Sequence, residues 1–97
     1  MAVEVSIEYC GGWGYGPRFQ ELAEHIKSVV PGAKIDGFVG RNTSFEVKVN
    51  GKEIHSKLKT MSFPDFEEVA DIVKKVDSGE EPSQVQKTES SWWCNIL

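Results

Sequence analysis

Tyr9-Cys10-Gly11-Gly12-Trp13-Gly14-Tyr15-Gly16-Pro17 is a glycine-rich loop that opens on a cysteine and separates a run with strand periodicity from a run with helix periodicity. Upstream, residues 2–9 alternate, with Val3, Val5, Ile7 and Tyr9 on one face and Glu4, Ser6 and Glu8 on the other, the period-two pattern of a strand. Downstream, Pro17 suits the first turn of a helix, in which Phe19, Leu22, Ala23, Ile26, Val29 and Val30 recur at three- and four-residue spacing. Pro31-Gly32 stops that helix, because proline lacks the N–H and glycine frees φ. A cysteine leaving a strand and facing a helix N-terminus sits where backbone N–H groups and the helix dipole favour a thiolate.

The rest of the chain adds three more strands and a second helix. Ile35, Phe38 and Val39, close to Gly37 and Gly40, read as a strand with a bulge at a glycine. Residues 43–49 alternate, with Phe45, Val47 and Val49 inward, and Asn50-Gly51 is the signature of a two-residue hairpin turn. Residues 52–58 return antiparallel, Ile54, Ser56 and Leu58 on one face and His55 and Lys57 on a wetter one. Pro64 breaks the pattern, Ser62 and Asp65 are candidate caps, and Phe66, Val69, Ile72, Val73 and Val76 form a second amphipathic helix ending near Ser78-Gly79. The order β-α-β-β-β-α predicts an α/β (α+β) domain over residues 1–79: a parallel βαβ unit extended by an antiparallel hairpin into a four-stranded mixed sheet covered by two helices. That layout resembles a thioredoxin-like domain. Residues 80–97 are polar, contain Pro82, and predict a flexible tail.

Composition narrows the function. The chain has 97 residues and a net charge of −4, enough for one core and wrong in sign for a nucleic-acid footprint. No apolar run reaches the ~20 residues of a membrane span, and residues 1–9 lack the shape of a secretory signal, so the expected location is cytoplasmic. Cys10 and Cys94 stand at opposite ends, and a reducing compartment argues against a structural disulfide. His25 and His55 lack the neighbours of a zinc-ligand set, so no metal site is expected.

The Cys10-Gly11-Gly12-Trp13-Gly14-Tyr15 loop after a first strand resembles that of the selenoprotein W (Rdx) family. The Asn50-Gly51 hairpin, Ser56-Lys57-Leu58 and Phe63-Pro64 carry the resemblance over residues 3–79, and Cys94-Asn95-Ile96-Leu97 resembles its prenylated members. The resemblance implies a redox-active loop with Cys10 and the residue at position 13 as its catalytic pair, since members carry Cys-x-x-Cys or Cys-x-x-selenocysteine there. Trp13 departs from that pattern. The selenocysteine codon UGA is one base from the tryptophan codon UGG, which leaves two origins: a native tryptophan, or a stand-in for selenocysteine.

As written, the loop has no second chalcogen and cannot do dithiol chemistry. Cys10 alone can form a mixed disulfide with glutathione, the one small-molecule partner implied, or it can be an inert structural cysteine. Gly11, Gly12, Gly14 and Gly16 lack the spacing of a phosphate cradle and fit turn geometry. Trp13 and Tyr15 suit either a docking surface or packing against the sheet, and the five phenylalanines suit the core. Cys94 heads a C-a-a-X box whose terminal Leu97 favours geranylgeranylation, with Trp92-Trp93 as an interfacial second signal, so the cytosolic face of a membrane is an expected partner. Two functions fit: a glutathione-linked redox regulator of weak or absent dithiol catalysis, and a non-catalytic membrane-anchored adaptor in signalling, migration or apoptosis control that binds an unidentified protein.

Overall fold

The structure, a computed structural model, describes residues 3–88. Its elements are β1 (Glu4–Tyr9), α1 (Tyr15–Val29), β2 (Lys34–Val39), β3 (Phe45–Val49), β4 (Lys52–Ser56), α2 (Lys57–Thr60) and α3 (Phe66–Asp77). The four strands form one sheet in the order β2-β1-β3-β4, with β1 parallel to β2 and antiparallel to β3. The expected mixed sheet and element order are thus present, with α2 as an extra single turn.

One core joins Val3, just before β1, with Val5 and Ile7 of β1, Phe45, Val47 and Val49 of β3, Leu22 and Ile26 of α1, and Val69 and Val73 of α3. Each such side chain, fully removed from water, contributes about 1.5–3 kcal/mol. Phe45 holds the centre, its ring 5.0 Å from Phe63 and 6.0 Å from Phe66. The other face of the sheet is open: Ser6, Glu8, Phe38, Arg41, Glu46, Lys48 and Glu53 line a shallow hollow there.

Local chemistry sets the element ends. Asn50 and Gly51 take φ of 51° and 84°, the left-handed pair a two-residue hairpin needs. Asp65 caps α3, its carboxylate accepting from the N–H groups of Glu67 (2.9 Å) and Glu68 (3.3 Å).

Four expectations need correction. The strand expected over residues 52–58 ends at Ser56, where Glu46 and the Ser56 hydroxyl meet the first N–H groups of a helical turn. His55 is buried rather than on a wetter face, because a register shift sets Val47 against His55 and Lys48 against Glu53 and leaves Ile54 as the extra residue. Phe38 is 51% exposed, since β2 is an edge strand and Phe38 lies on the open face of the sheet. The tail expected to be flexible from residue 80 is part of the folded body as far as 88. Val85 N–H donates to the Ile54 carbonyl (2.9 Å), Lys87 accepts from Asp65 N–H (3.0 Å), and the Glu68 carboxylate takes the N–H groups of Gln86 and Lys87. Composition missed this because the segment is held chiefly through its backbone hydrogen bonds, with Pro82 buried and Val85 packed on the core.

Candidate functional site

Cys10 is the first residue after β1 and is buried, 3% exposed. Its N–H donates to the Ser44 carbonyl (3.0 Å), which fixes the cysteine against the segment that enters β3. The thiol donates to Asn42 Oδ1 at 3.4 Å. The backbone N–H of Gly12, then that of Thr43, lowers the thiol's pKa; burial opposes them, and the charge of Lys57 adds to the lowering. Two amide donors and a cation around one sulfur are the means by which a protein favours a thiolate.

The residues of the 40–44 loop are held in place from β1. Glu8 accepts three hydrogen bonds from Arg41: from N–H (2.7 Å), Nε (2.9 Å) and Nη2 (3.0 Å). These bonds push the Glu8 carboxyl down to about 2. The loop wraps so closely that a Cβ on Gly40 would lie 2.3 Å from Glu8 Cγ. Thr43 takes φ 62°, left-handed for a β-branched residue, a strain of about 1–3 kcal/mol held by the surrounding turn. Ser44 closes that turn, donating from N–H (3.2 Å) and Oγ (2.7 Å) to the Arg41 carbonyl.

The cation comes from the far side. Lys57, the first residue of α2, reaches Thr43's carbonyl with Nζ at 3.4 Å and lies 5.4 Å and 5.5 Å from the ring centres of Tyr15 and Phe63. Tyr15 is buried against Phe63, centroids 5.2 Å apart, so packing accounts for it. Trp13 is 88% exposed at φ 58° and makes no hydrogen bond or ring contact among the described residues. Gly14, at φ 78°, precedes α1 without a side-chain cap. Gly11 borders Val39 of the β2 edge, Gly12 faces open space, and the Gly12 carbonyl accepts from Tyr15 N–H (3.2 Å).

The structure therefore gathers Cys10, Gly12 and Tyr15 at one end of the sheet, with Trp13 turned to solvent. Cys94, Trp92 and Trp93 lie outside the described residues. Sequence reasoning missed Asn42, Thr43 and Lys57. The turn-forming run Gly40-Arg41-Asn42-Thr43 between two strand patterns marked a loop, yet nothing in it marked proximity to Cys10. Among the described residues there is no group of three or more His, Cys, Asp or Glu side chains that could hold a metal, and no helix is long and apolar enough to cross a membrane. The arrangement holds one thiol whose ionisation is favoured, in a buried position; the side chain at position 13 has no atom that could resolve a disulfide.

The sequence model of the Rdx family matches residues 4–75. Migration and invasion enhancer 1 of Mus musculus is 30% identical over 95 residues, covering 98% of this chain and 81% of its own length. Selenoprotein W of Danio rerio is 40% identical over 68 residues, covering 67% and 79%. A crystal structure of a selenoprotein W-related protein from Vibrio cholerae superposes with a TM-score of 0.71 at 17% identity, covering 78% of this chain and 98% of that one, which identifies the fold as thioredoxin-like.

Proposed function

The chain belongs to the Rdx family, and from that membership we propose that it is a redox-related regulator working through a single thiol, Cys10, with glutathione as its exchange partner. What supports the reading is that the thiol lies within 3.4 Å of Asn42 Oδ1, in a loop whose Thr43 carbonyl is 3.4 Å from Lys57 Nζ, and that the backbone N–H groups of Gly12 and Thr43 hold its pKa below the ordinary thiol value. The thiolate attacks one sulfur of glutathione disulfide. A Cys10–glutathione bond forms, the glutathione S–S bond breaks, and the departing thiolate takes a proton from solvent. With Trp13 in the second position no internal thiol completes the cycle, so a second external thiol releases the adduct. In the membrane part of the proposal, Cys94 is prenylated and holds the domain at the cytosolic face of a membrane, with Trp92 and Trp93 as the interfacial second signal.

Treatment with glutathione disulfide followed by intact mass measurement tests the thiol in a chain carrying Cys94→Ser; a single adduct is expected there, and none once Cys10→Ser is added. Cell fractionation tests the anchor, with Cys94→Ser moving from membranes to cytosol and an unchanged distribution counting against it. A second reading, a membrane-anchored adaptor without catalysis, is favoured by Trp13, whose exposed indole suits a protein contact. The codon at position 13 separates the two: UGA restores a sulfur–selenium pair, and UGG favours the adaptor.

A further inference from the structure

On β3, Glu46 is a buried carboxylate on the open side of the sheet, directly opposite Glu8 of β1. Two carboxylates facing each other across strands repel, so its place calls for an account. Arg41 offsets part of the repulsion, bonded to Glu8 and with Nη2 3.7 Å from Glu46 Oε1. The remaining partners point elsewhere. Besides the Phe45 N–H of its own strand (3.3 Å), Glu46 Oε2 accepts from the N–H groups of Lys57 (2.8 Å) and Leu58 (3.3 Å), and Oε1 accepts from the Ser56 hydroxyl. Those N–H groups belong to the start of α2, where a helix has no internal acceptors for them. The carboxylate thus ties the backbone of Lys57 to β3, and the Lys57 side chain reaches the Thr43 carbonyl beside Cys10.

We infer that Glu46 is a positioning residue for Cys10, acting on the thiol through Lys57. The inference rests on the proposed thiolate role of Cys10 and adds to it an acidic group that favours the anion indirectly. Direct electrostatics would have the opposite effect, because a negative charge near a thiol opposes its ionisation. Of the other charged groups on the packed elements, Arg41 is held by Glu8 and Glu46, and Arg18 of α1 lies 4.8 Å from the rings of Phe63 and Phe66.

The two effects differ in sign, which makes the test decisive. In a chain carrying Cys94→Ser, the pH dependence of iodoacetamide alkylation reports Cys10 alone. Lys57→Met and Glu46→Gln should each move the midpoint to higher pH, leaving about three- to tenfold less thiolate at pH 7. The double variant should be no worse than either single one, since both remove the same contact. A midpoint that falls or stays put in Glu46→Gln while Lys57→Met raises it, or full additivity of the two, would overturn the inference. If Glu46→Gln loses its circular dichroism signature, Ser56→Ala replaces it, keeping the charge while removing the hydroxyl that holds the carboxylate; a raised midpoint is expected, and an unchanged one overturns the inference. Failure of the underlying proposal looks different: the parent itself would titrate at or above the ~8.5 of a free cysteine.

Discussion

Replacing Glu8 by glutamine removes the charge that binds Arg41 and, with it, the anchor of the loop that reaches Cys10. The carboxyl is pushed from 4.5 down to about 2, chiefly by the Arg41 side-chain hydrogen bonds. At about 1.4 kcal/mol per pKa unit, full linkage would give a ceiling of about 3 kcal/mol. Arg41 is 64% exposed and screened by solvent, so about 1–2 kcal/mol is expected. The sign follows from the direction of the shift. The folded state holds the proton less tightly than the unfolded one, so the stabilisation is fully present above the unfolded value and is lost as pH falls from 4.5 towards 2. Urea unfolding of parent and Glu8→Gln should therefore differ by about 1–2 kcal/mol at pH 7, by less than half of that near pH 3, and by less again in high salt. An equal gap at pH 7 and pH 2.5, or none at either, would refute the assignment of Glu8 as the ionic anchor.

Three further outcomes follow from other parts of the fold. His55 is buried, its Nε2–H donating to the Ser62 carbonyl at 2.8 Å, and burial pushes its pKa down. The unfolded chain then binds the extra proton, so stability should fall as pH drops below about 6.5, and urea midpoints between pH 7.5 and 5.5 should fall less steeply in His55→Gln. Gly37→Ala would set a Cβ 2.3 Å from Cζ of Phe19, whose ring stacks on Tyr9 at 4.9 Å, so a loss of about 1–3 kcal/mol is expected in thermal melts. Truncation after residue 79 removes the hydrogen bonds made by Val85, Gln86 and Lys87 and should cost about 1–3 kcal/mol in the same melts.

Much of this architecture is written in periodicity. The alternation of Val3, Val5 and Ile7 and that of Phe45, Val47 and Val49 specify β1 and β3 because one face of each is buried. Asn50-Gly51 specifies the hairpin through its φ values. Periodicity failed where a tertiary partner outweighed it: Glu46 turns residues 57–60 into a helix, the shift at Ile54 buries His55, and backbone bonding orders residues 80–88. For the site, the sequence marks Cys10 and its loop, but the groups that act on the sulfur arrive from 32–47 residues away, with Asn42 and Thr43 from one segment and Lys57 from another. No local pattern encodes that convergence. Trp13 is legible as a departure from the family loop, and its exposure is a property only the fold reveals.

The central claim, that Cys10 is a reactive single thiol, meets its most direct test in the intact mass of the Cys94→Ser chain after exposure to glutathione disulfide. Cys10 is then the one cysteine left in the sequence. One glutathione per chain, removed by a reducing thiol and absent from Cys10→Ser, is the predicted result. An unmodified mass at neutral pH, in chain that remains folded, would contradict it.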